Sequence, residues 1–259
     1  MADTDEKIAK QVGQLEPIGL EQMSEIRLMN RTDSKFVTDK ATLLQLLKLV
    51  GSDYFAQEID GKRIAPYRTI YWDTPVHSFY LAHHNGRSPR KKVRVRTYVD
   101  SNLTFLEVKT KNNHGRTKKK RIQVEGSTKI DNANCDRFLH EMTPYGYKEL
   151  KPVLQNQFDR ITLVNRGKTE RLTIDFNIRF ENFETHSTCG TGSLVVVELK
   201  RDGAVFSPVK DMLLKLRVKP SGFSKYCIGT VMTNDTIKQN MFKPKMVYLE
   251  RLMASENPA

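Results

Sequence analysis

Apolar and polar side chains alternate with a period of two through residues 93–124. Val93, Val95 and Val99 interleave with Arg94, Arg96 and Tyr98. Leu106 and Val108 interleave with Phe105, Glu107 and Lys109, and Ile122 and Val124 with Lys119, Arg121 and Gln123. Successive side chains of a strand point to opposite faces, so this stretch predicts three strands. The breaks at 100–102 and 112–115 carry Asp, Ser, Asn and Gly, which suit hairpin turns. The expected unit is an antiparallel meander with one apolar face and one cationic face.

Around it the chain predicts a polar helical lead-in over residues 1–25, with a short helix at 21–28, and then a single domain over 26–259. A strand over 29–37 places Arg31, Asp33 and Lys35 on one face. Thr38 caps a helix over 39–50, which carries leucines at 43, 44, 46 and 47 and stops at Gly51. A strand follows over 62–72. Asp73-Thr74-Pro75 opens a helix holding Phe79, Tyr80 and Leu81, and Gly86 ends it. A helix is expected over 132–142. Three further strands are expected over 151–164, 171–183 and 193–202. Their faces group Phe158, Arg160 and Thr162; Arg171, Thr173, Asp175 and Asn177; and Glu198, Lys200 and Asp202. A helix over 208–218 and a loop over 221–226 lead into a helical C-terminal region ending near residue 253. The count is about eight strands, connected mainly as hairpins.

Charge changes the picture. The 259 residues carry a formal net charge of +13, which calls for an anionic partner: nucleic acid, an acidic membrane surface or a polyphosphorylated small molecule. Like charges opposite one another across strands are destabilising. An open sheet spreads such faces into solvent, whereas a barrel points them into one lumen, tolerable only if it is wet and holds counter-charge. The three cysteines lie far apart without a CxxC spacing and read as free thiols of a reducing compartment. The N-terminus has no apolar signal region, and no run of about 18 apolar residues occurs, so a cytoplasmic chain without a transmembrane segment is expected.

Two E-x-K pairs, Glu107 with Lys109 and Glu198 with Lys200, put a carboxylate beside an ammonium on one strand face. Such a carboxylate among cations either holds a divalent metal that bridges phosphates or makes an ordinary cross-strand salt bridge. Arg94 and Arg96 suit bidentate phosphate contacts, with a solvated basic strand as the plainer alternative. Within Lys118-Lys119-Lys120-Arg121, alternate members must point apart, and either Lys119 or Lys120 faces with the other cations. The six histidines fit no metal spacing. No phosphate-loop, dinucleotide or nucleophile-elbow motif occurs. No aromatic stripe interleaves with the basic residues, which disfavours nucleic acid.

In this order the motifs resemble the VTC domain, the polyphosphate polymerase domain of the vacuolar transporter chaperone family in its bacterial form, within the triphosphate tunnel metalloenzyme superfamily. The resemblance runs over about residues 26–230. It rests on Asp33-Ser34-Lys35-Phe36, Tyr71-Trp72-Asp73-Thr74, Gly86-Arg87, R-x-R at Arg94 and Arg96, F-L-E-x-K ending at Lys109, K-x-R at Lys119 and Arg121, the Arg160 strand, R-x-T-I-D at 171–175, V-E-L-K at Glu198 and Lys200, and Gly222-Phe223-Ser224-Lys225-Tyr226. The first strand lacks the E-x-E-x-K of many tunnel enzymes and fits the VTC branch.

The resemblance implies an α+β fold built on an antiparallel eight-stranded tunnel β-barrel with flanking and C-terminal helices. It implies phosphate binding by Lys35, Arg87, Arg94, Arg96, Lys109, Lys119, Arg121, Arg160, Lys200 and Lys225, with Lys35, Arg94, Arg96, Lys109 and Arg160 as the catalytic set. Glu198 becomes the ligand of Mn2+ or Mg2+. The implied activity transfers the terminal phosphate of ATP to a growing polyphosphate chain. A triphosphate hydrolase and a non-catalytic polyphosphate or nucleotide binder are the alternatives. The membrane spans of fungal members are missing from this sequence, so coupling to a membrane would take a separate partner protein.

Overall fold

The alternation at 93–124 folds into three antiparallel strands in the computed structural model, which describes residues 2–24, 26, 31–114, 116–203 and 205–254. The strands are β1 Glu16–Ile18, β2 Arg31–Asp39, β3 Tyr54–Gln57, β4 Ala65–Asp73, β5 Arg90–Tyr98, β6 Leu103–Lys111, β7 Thr117–Gln123, β8 Lys151–Asn165, β9 Glu170–Asn182, β10 Thr188–Gly190 and β11 Leu194–Asp202. The helices are α1 Ala2–Gly13, α2 Leu20–Ser24, α3 Lys40–Val50, α4 Ser78–His84, α5 Ala133–Met142, α6 Pro208–Lys215, α7 Lys225–Thr233 and α8 Lys243–Ala254. The expected strand start at Met29, the end of the helix expected over 21–28 and the turn residue Gly115 lie outside the described residues.

Eight strands form one antiparallel path in the order β2-β11-β9-β8-β4-β5-β6-β7. The sheet is a curled half-barrel with flanking helices. Its end strands β2 and β7 do not pair with each other among the described residues, so hydrogen bonding leaves one seam open. The short strands β1, β3 and β10 lie off this path, and they span too few residues to show a period.

Apolar burial occurs on both sides. On the convex face, α1, α3 and α6 cover β2, β8, β9 and β11 through residues such as Ile8, Leu47, Leu213, Ile174 and Val197. The convex face of the meander is covered by α4 and α5, where Phe79, Phe138 and Leu139 meet Val95 and Leu106. On the concave side, α7 and α8 close one mouth, with Tyr226, Ile228 and Leu249 against Tyr71, Leu154 and Phe180.

The lead-in forms a longer helix than the pattern predicts. Ile8 and Val12 stand one turn apart on α1 and are fully buried, each worth about 2 kcal/mol of apolar burial. Asp39, one residue after the expected Thr38, caps α3 by accepting from Thr42 N at 2.7 Å. The helical C-terminal region divides into α7 and α8. Gly229 lets α7 approach the sheet: a Cβ there would lie 2.4 Å from Phe180 Cδ1 and 2.8 Å from Leu154 Cδ2.

Candidate active site

The curl turns the polar face of each strand inward, and the register decides which charges meet. Lys35 of β2 pairs with Glu198 of β11, which pairs with Thr173 of β9; Arg160 of β8 pairs with Asp175 of β9. In the meander, Arg94, Glu107 and Arg121 form one transverse row, and Lys92, Lys109 and Lys119 form the next. Lys120 pairs with Val108, on the convex face, so Lys119 is the lumen member of its pair. The row of three lysines is a like-charge ladder, the arrangement that disfavours an ordinary sheet.

Glu198 sits where the curl brings the cations together. Burial opposes its ionisation, but Lys200, Lys35, Lys109 and Arg160 overcome this and hold the carboxyl down at about 2. Those four cations come from β11, β2, β6 and β8, so side chains far apart along the sheet path converge on one carboxylate. Its ion-pair contact is with Lys200, and that is long, 3.8 Å from Nζ to Oε2.

Two other lumen carboxylates, Glu107 and Asp175, are fully engaged. Glu107 is 0% exposed and takes Arg94 Nε at 2.8 Å and Lys119 Nζ at 2.9 Å. Asp175 accepts from Arg160 Nε at 2.6 Å and Nη2 at 2.8 Å, and also from Lys225. Despite burial, Arg160 and Lys225 hold the Asp175 carboxyl below the usual carboxylate range.

Cation crowding shows in the bases. Arg94, burial and Arg96 together push Lys109 well below the usual lysine range. Burial first, then Arg94 and Arg160, lowers Arg96 to about 10. Burial lowers Lys92 and Lys225 to about 8, with Lys35 and Arg160, respectively, adding to it. Rings absorb part of the charge. The Arg160 guanidinium lies 4.9 Å from the Tyr67 centroid, and Lys225 Nζ lies 4.4 Å from that of Phe158.

Of the site residues expected from sequence, Lys35, Arg94, Arg96, Lys109, Lys119, Arg160, Lys200, Lys225 and Glu198 share this concave face. Lys35 Nζ also donates to Phe223 O at 3.0 Å, tying β2 to the loop before α7. Arg121 lies at the rim with its guanidinium 4.3 Å from the Phe105 centroid and its Nη1 3.5 Å from Tyr98 Oη. Arg87 lies exposed in the turn after α4, directly behind Gly86 at φ +66. Lys92, opposite Lys109 on β5, also lies in the site and donates to Ser224 Oγ at 2.8 Å.

Two more residues shape the site. Asn156 is 0% exposed on the inner face of β8, opposite Thr69 of β4, and neither its Oδ1 nor its Nδ2 has a partner. Asp73 accepts from Phe79 N and Tyr80 N at 2.9 Å each and from Tyr226 Oη at 2.5 Å, locking β4, α4 and α7 together. Their sequence signals are faint: one asparagine in a polar alternation, and one aspartate in Tyr71-Trp72-Asp73-Thr74.

The donor set fits a substrate-bridging divalent ion rather than a resident one. No group of three or more acidic, histidine or cysteine side chains suited to a metal occurs among the described residues. Glu198 is ionised and half-buried, and the buried Thr173 Oγ1 opposite it has no partner. Mg2+-type ions are commonly held by one or two carboxylates together with substrate phosphates.

Known proteins set this geometry in context. No curated protein matches the chain. A Hippeastrum protein described as a candidate adenylyl cyclase with dominant triphosphatase activity is similar at 14% identity and TM-score 0.48, covering 79% of this chain and 97% of its own. A protein of Pyrococcus horikoshii OT3 is similar at 12% identity and TM-score 0.43, covering 74% and 96%. The S. pombe Pct1 RNA triphosphatase reaches 8% identity and TM-score 0.30, covering 89% and 87%. The model of the VTC domain family matches residues 30–234, most of the 259-residue sequence, and the chain belongs to that family.

Proposed function

We propose that this chain is a divalent-metal-dependent polyphosphate polymerase that passes the terminal phosphate of ATP to a growing polyphosphate chain. The observation that carries the reading is the loosely paired carboxylate of Glu198, ringed by Lys35, Lys109, Arg160 and Lys200. Lys35, Arg94, Arg96, Lys109 and Arg160 form the catalytic set. They orient the triphosphate and neutralise the charge that spreads over the transferring phosphoryl group. Lys119, Lys200 and Lys225 extend the phosphate path, with Arg121 and Arg87 serving its exposed end. Glu198 and the substrate phosphates hold Mn2+ or Mg2+, which supplies further charge neutralisation at the phosphoryl oxygens.

In the transfer, a terminal oxygen of the acceptor chain attacks the γ-phosphorus, the bond to the bridging oxygen breaks, and ADP leaves. A phosphate oxyanion is already a nucleophile and is concentrated by the cations. Water needs a base: Glu107 and Asp175 are engaged, and Glu198 is assigned here to the metal. That favours polymer growth over the triphosphatase reading. The reaction takes place in the cytoplasm, where ATP is supplied. Among the described residues no helix is long and apolar enough to cross a membrane.

Incubation with ATP and Mn2+ tests the reading. Polyphosphate ladders on a gel with stoichiometric ADP are expected. Free phosphate without chains would replace it with a hydrolase, and tight salt-sensitive binding without turnover would replace it with a binder. Glu198→Gln is expected to lower metal-dependent turnover by about 100-fold or more.

A further inference from the structure

The outer wall of the half-barrel carries a second polar site, separate from the lumen. Between the convex patch under α1 and α3 and the one under α5 lies a cleft of about 600 Å³, lined by β4, β5, β8 and β9 together with Asp5 and Lys40. This is within the range of small-molecule sites.

The register puts Arg68 of β4, Gln157 of β8 and Arg179 of β9 side by side in one transverse row on this face. Two strand spacings, about 10 Å, separate the arginine backbones, so both guanidiniums reach an anion lying over Gln157. Neither guanidinium has an ion-pair partner among the described residues, and Arg68 Nε is buried with no hydrogen bond.

The carboxylates of the cleft are already engaged. Asp5 takes Lys40 Nζ at 2.7 Å and Asn177 Nδ2 at 3.2 Å, and Lys40 is only 1% exposed. Asp159 accepts from the same Asn177 Nδ2 at 2.9 Å. Asn177 adopts φ +52 where the β8–β9 register shifts, and this irregularity aims its amide at both aspartates. Further along the face, Glu181 accepts from Gln155 Nε2 at 2.7 Å. With the Lys40–Asp5 pair neutral, the cleft presents two guanidiniums against the single charge of Asp159. Pro66 and the half-exposed Val99 supply an apolar ledge beside them.

We propose that this cleft is a second anion site, taking a small molecule that bears a phosphate or pyrophosphate group, with Arg68 and Arg179 as its charge pair and Gln157 as the amide between them. A bidentate guanidinium contact from each side gives phosphate oxygens directional donors. The site is independent of the lumen reading, because the side chains of its arginine row lie on the opposite face of the sheet from Arg94, Arg160 and Glu198.

Calorimetric titration of the full chain at low salt without metal tests it, using orthophosphate, pyrophosphate and ADP as separate probes. Their ranking tells a free phosphate ligand from a nucleotide one. Two binding steps are expected with the preferred probe. R68Q/R179Q is expected to weaken one step at least ten-fold and to leave the other intact. Lys35→Ala with Lys109→Ala, in the lumen, is expected to do the reverse. R179E, at an exposed position, guards against misfolding and is expected to weaken the same step as R68Q/R179Q. The proposal is overturned if both variants of the row titrate like the parent with every probe. Failure of the lumen reading looks different: a single step that survives the lumen substitutions and disappears in R68Q/R179Q.

Discussion

Arg94 and Glu107 face each other across β5 and β6, and one guanidinium grips one carboxylate oxygen through Nε at 2.8 Å and Nη2 at 2.5 Å. Lys119 takes the other oxygen at 2.9 Å. Glu198 has the same E-x-K sequence form but no comparable partner. One carboxylate therefore acts as a fixed counter-ion that lets three cationic strands lie side by side, while the other is left facing the lumen.

Glu107→Gln is expected to destabilise the fold by about 3 kcal/mol at neutral pH, because it leaves buried cations uncompensated. Burial opposes ionisation of Glu107, but Arg94, Arg96 and Lys119 hold its carboxyl far below the usual range. Its stabilisation is therefore complete above the ordinary glutamate value and is lost as pH falls toward its depressed native value. Urea midpoints across an acid series check this: the parent should lose stability steadily below about pH 5, and the variant should show a shallower slope.

Lys92 and Lys225 give a dependence at the alkaline end. Burial lowers both to about 8 from 10.5, so the folded chain sheds these protons first. Stability should rise as pH increases from about 8 toward 10.5, where the unfolded chain still binds the protons. Triphosphate affinity should move the other way and weaken roughly ten-fold between about pH 7 and 9 as charge is lost. Parallel denaturation and calorimetry read both slopes, and slopes of equal sign would rule out these lysines as the source.

Gly229→Ala tests how tightly α7 seats in the mouth. Helix propensity alone favours alanine by about 1 kcal/mol. The added Cβ would lie 2.4 Å from Phe180 Cδ1, well inside contact distance. Overpacking should win, with a net loss of about 1–2 kcal/mol in thermal or urea unfolding.

Asn156→Leu should have opposite effects on stability and binding. It removes a buried amide with no partner, so unfolding should become harder by about 1 kcal/mol. The lumen also loses a neutral donor and acceptor in the transverse row of Thr69 and Arg96, so tripolyphosphate should bind roughly ten-fold more weakly. Unchanged affinity in calorimetry would make Asn156 a packing residue only.

Strand positions were readable because a half-buried strand has to alternate, as 93–99 and 105–109 do, while 194–197 is a continuous apolar run buried on both faces. The meander register was partly readable: Lys119 and Lys120 are equivalent in local sequence, and only pairing with Lys109 and Val108 distinguishes them. Lys92 illustrates the limit. It faces the site by strand parity, opposite Lys109, whereas Arg87 lies exposed in the turn after α4. The lead-in was read as polar because Ile8 and Val12 are sparse apolar positions whose burial depends on the distant α3 and β2.

From sequence alone came the count of about eight strands and a net charge demanding an anion, since these follow from side-chain alternation and residue type; the set of candidate lumen cations came from the family resemblance. Only the tertiary structure decided which carboxylates are engaged and which is left facing the lumen. That depends on cross-strand neighbours and on the curl that brings β6 toward β11, and neither is encoded within any one stretch of chain. The outer-wall row of Arg68, Gln157 and Arg179 was equally hidden, because its members come from three strands and meet only through register.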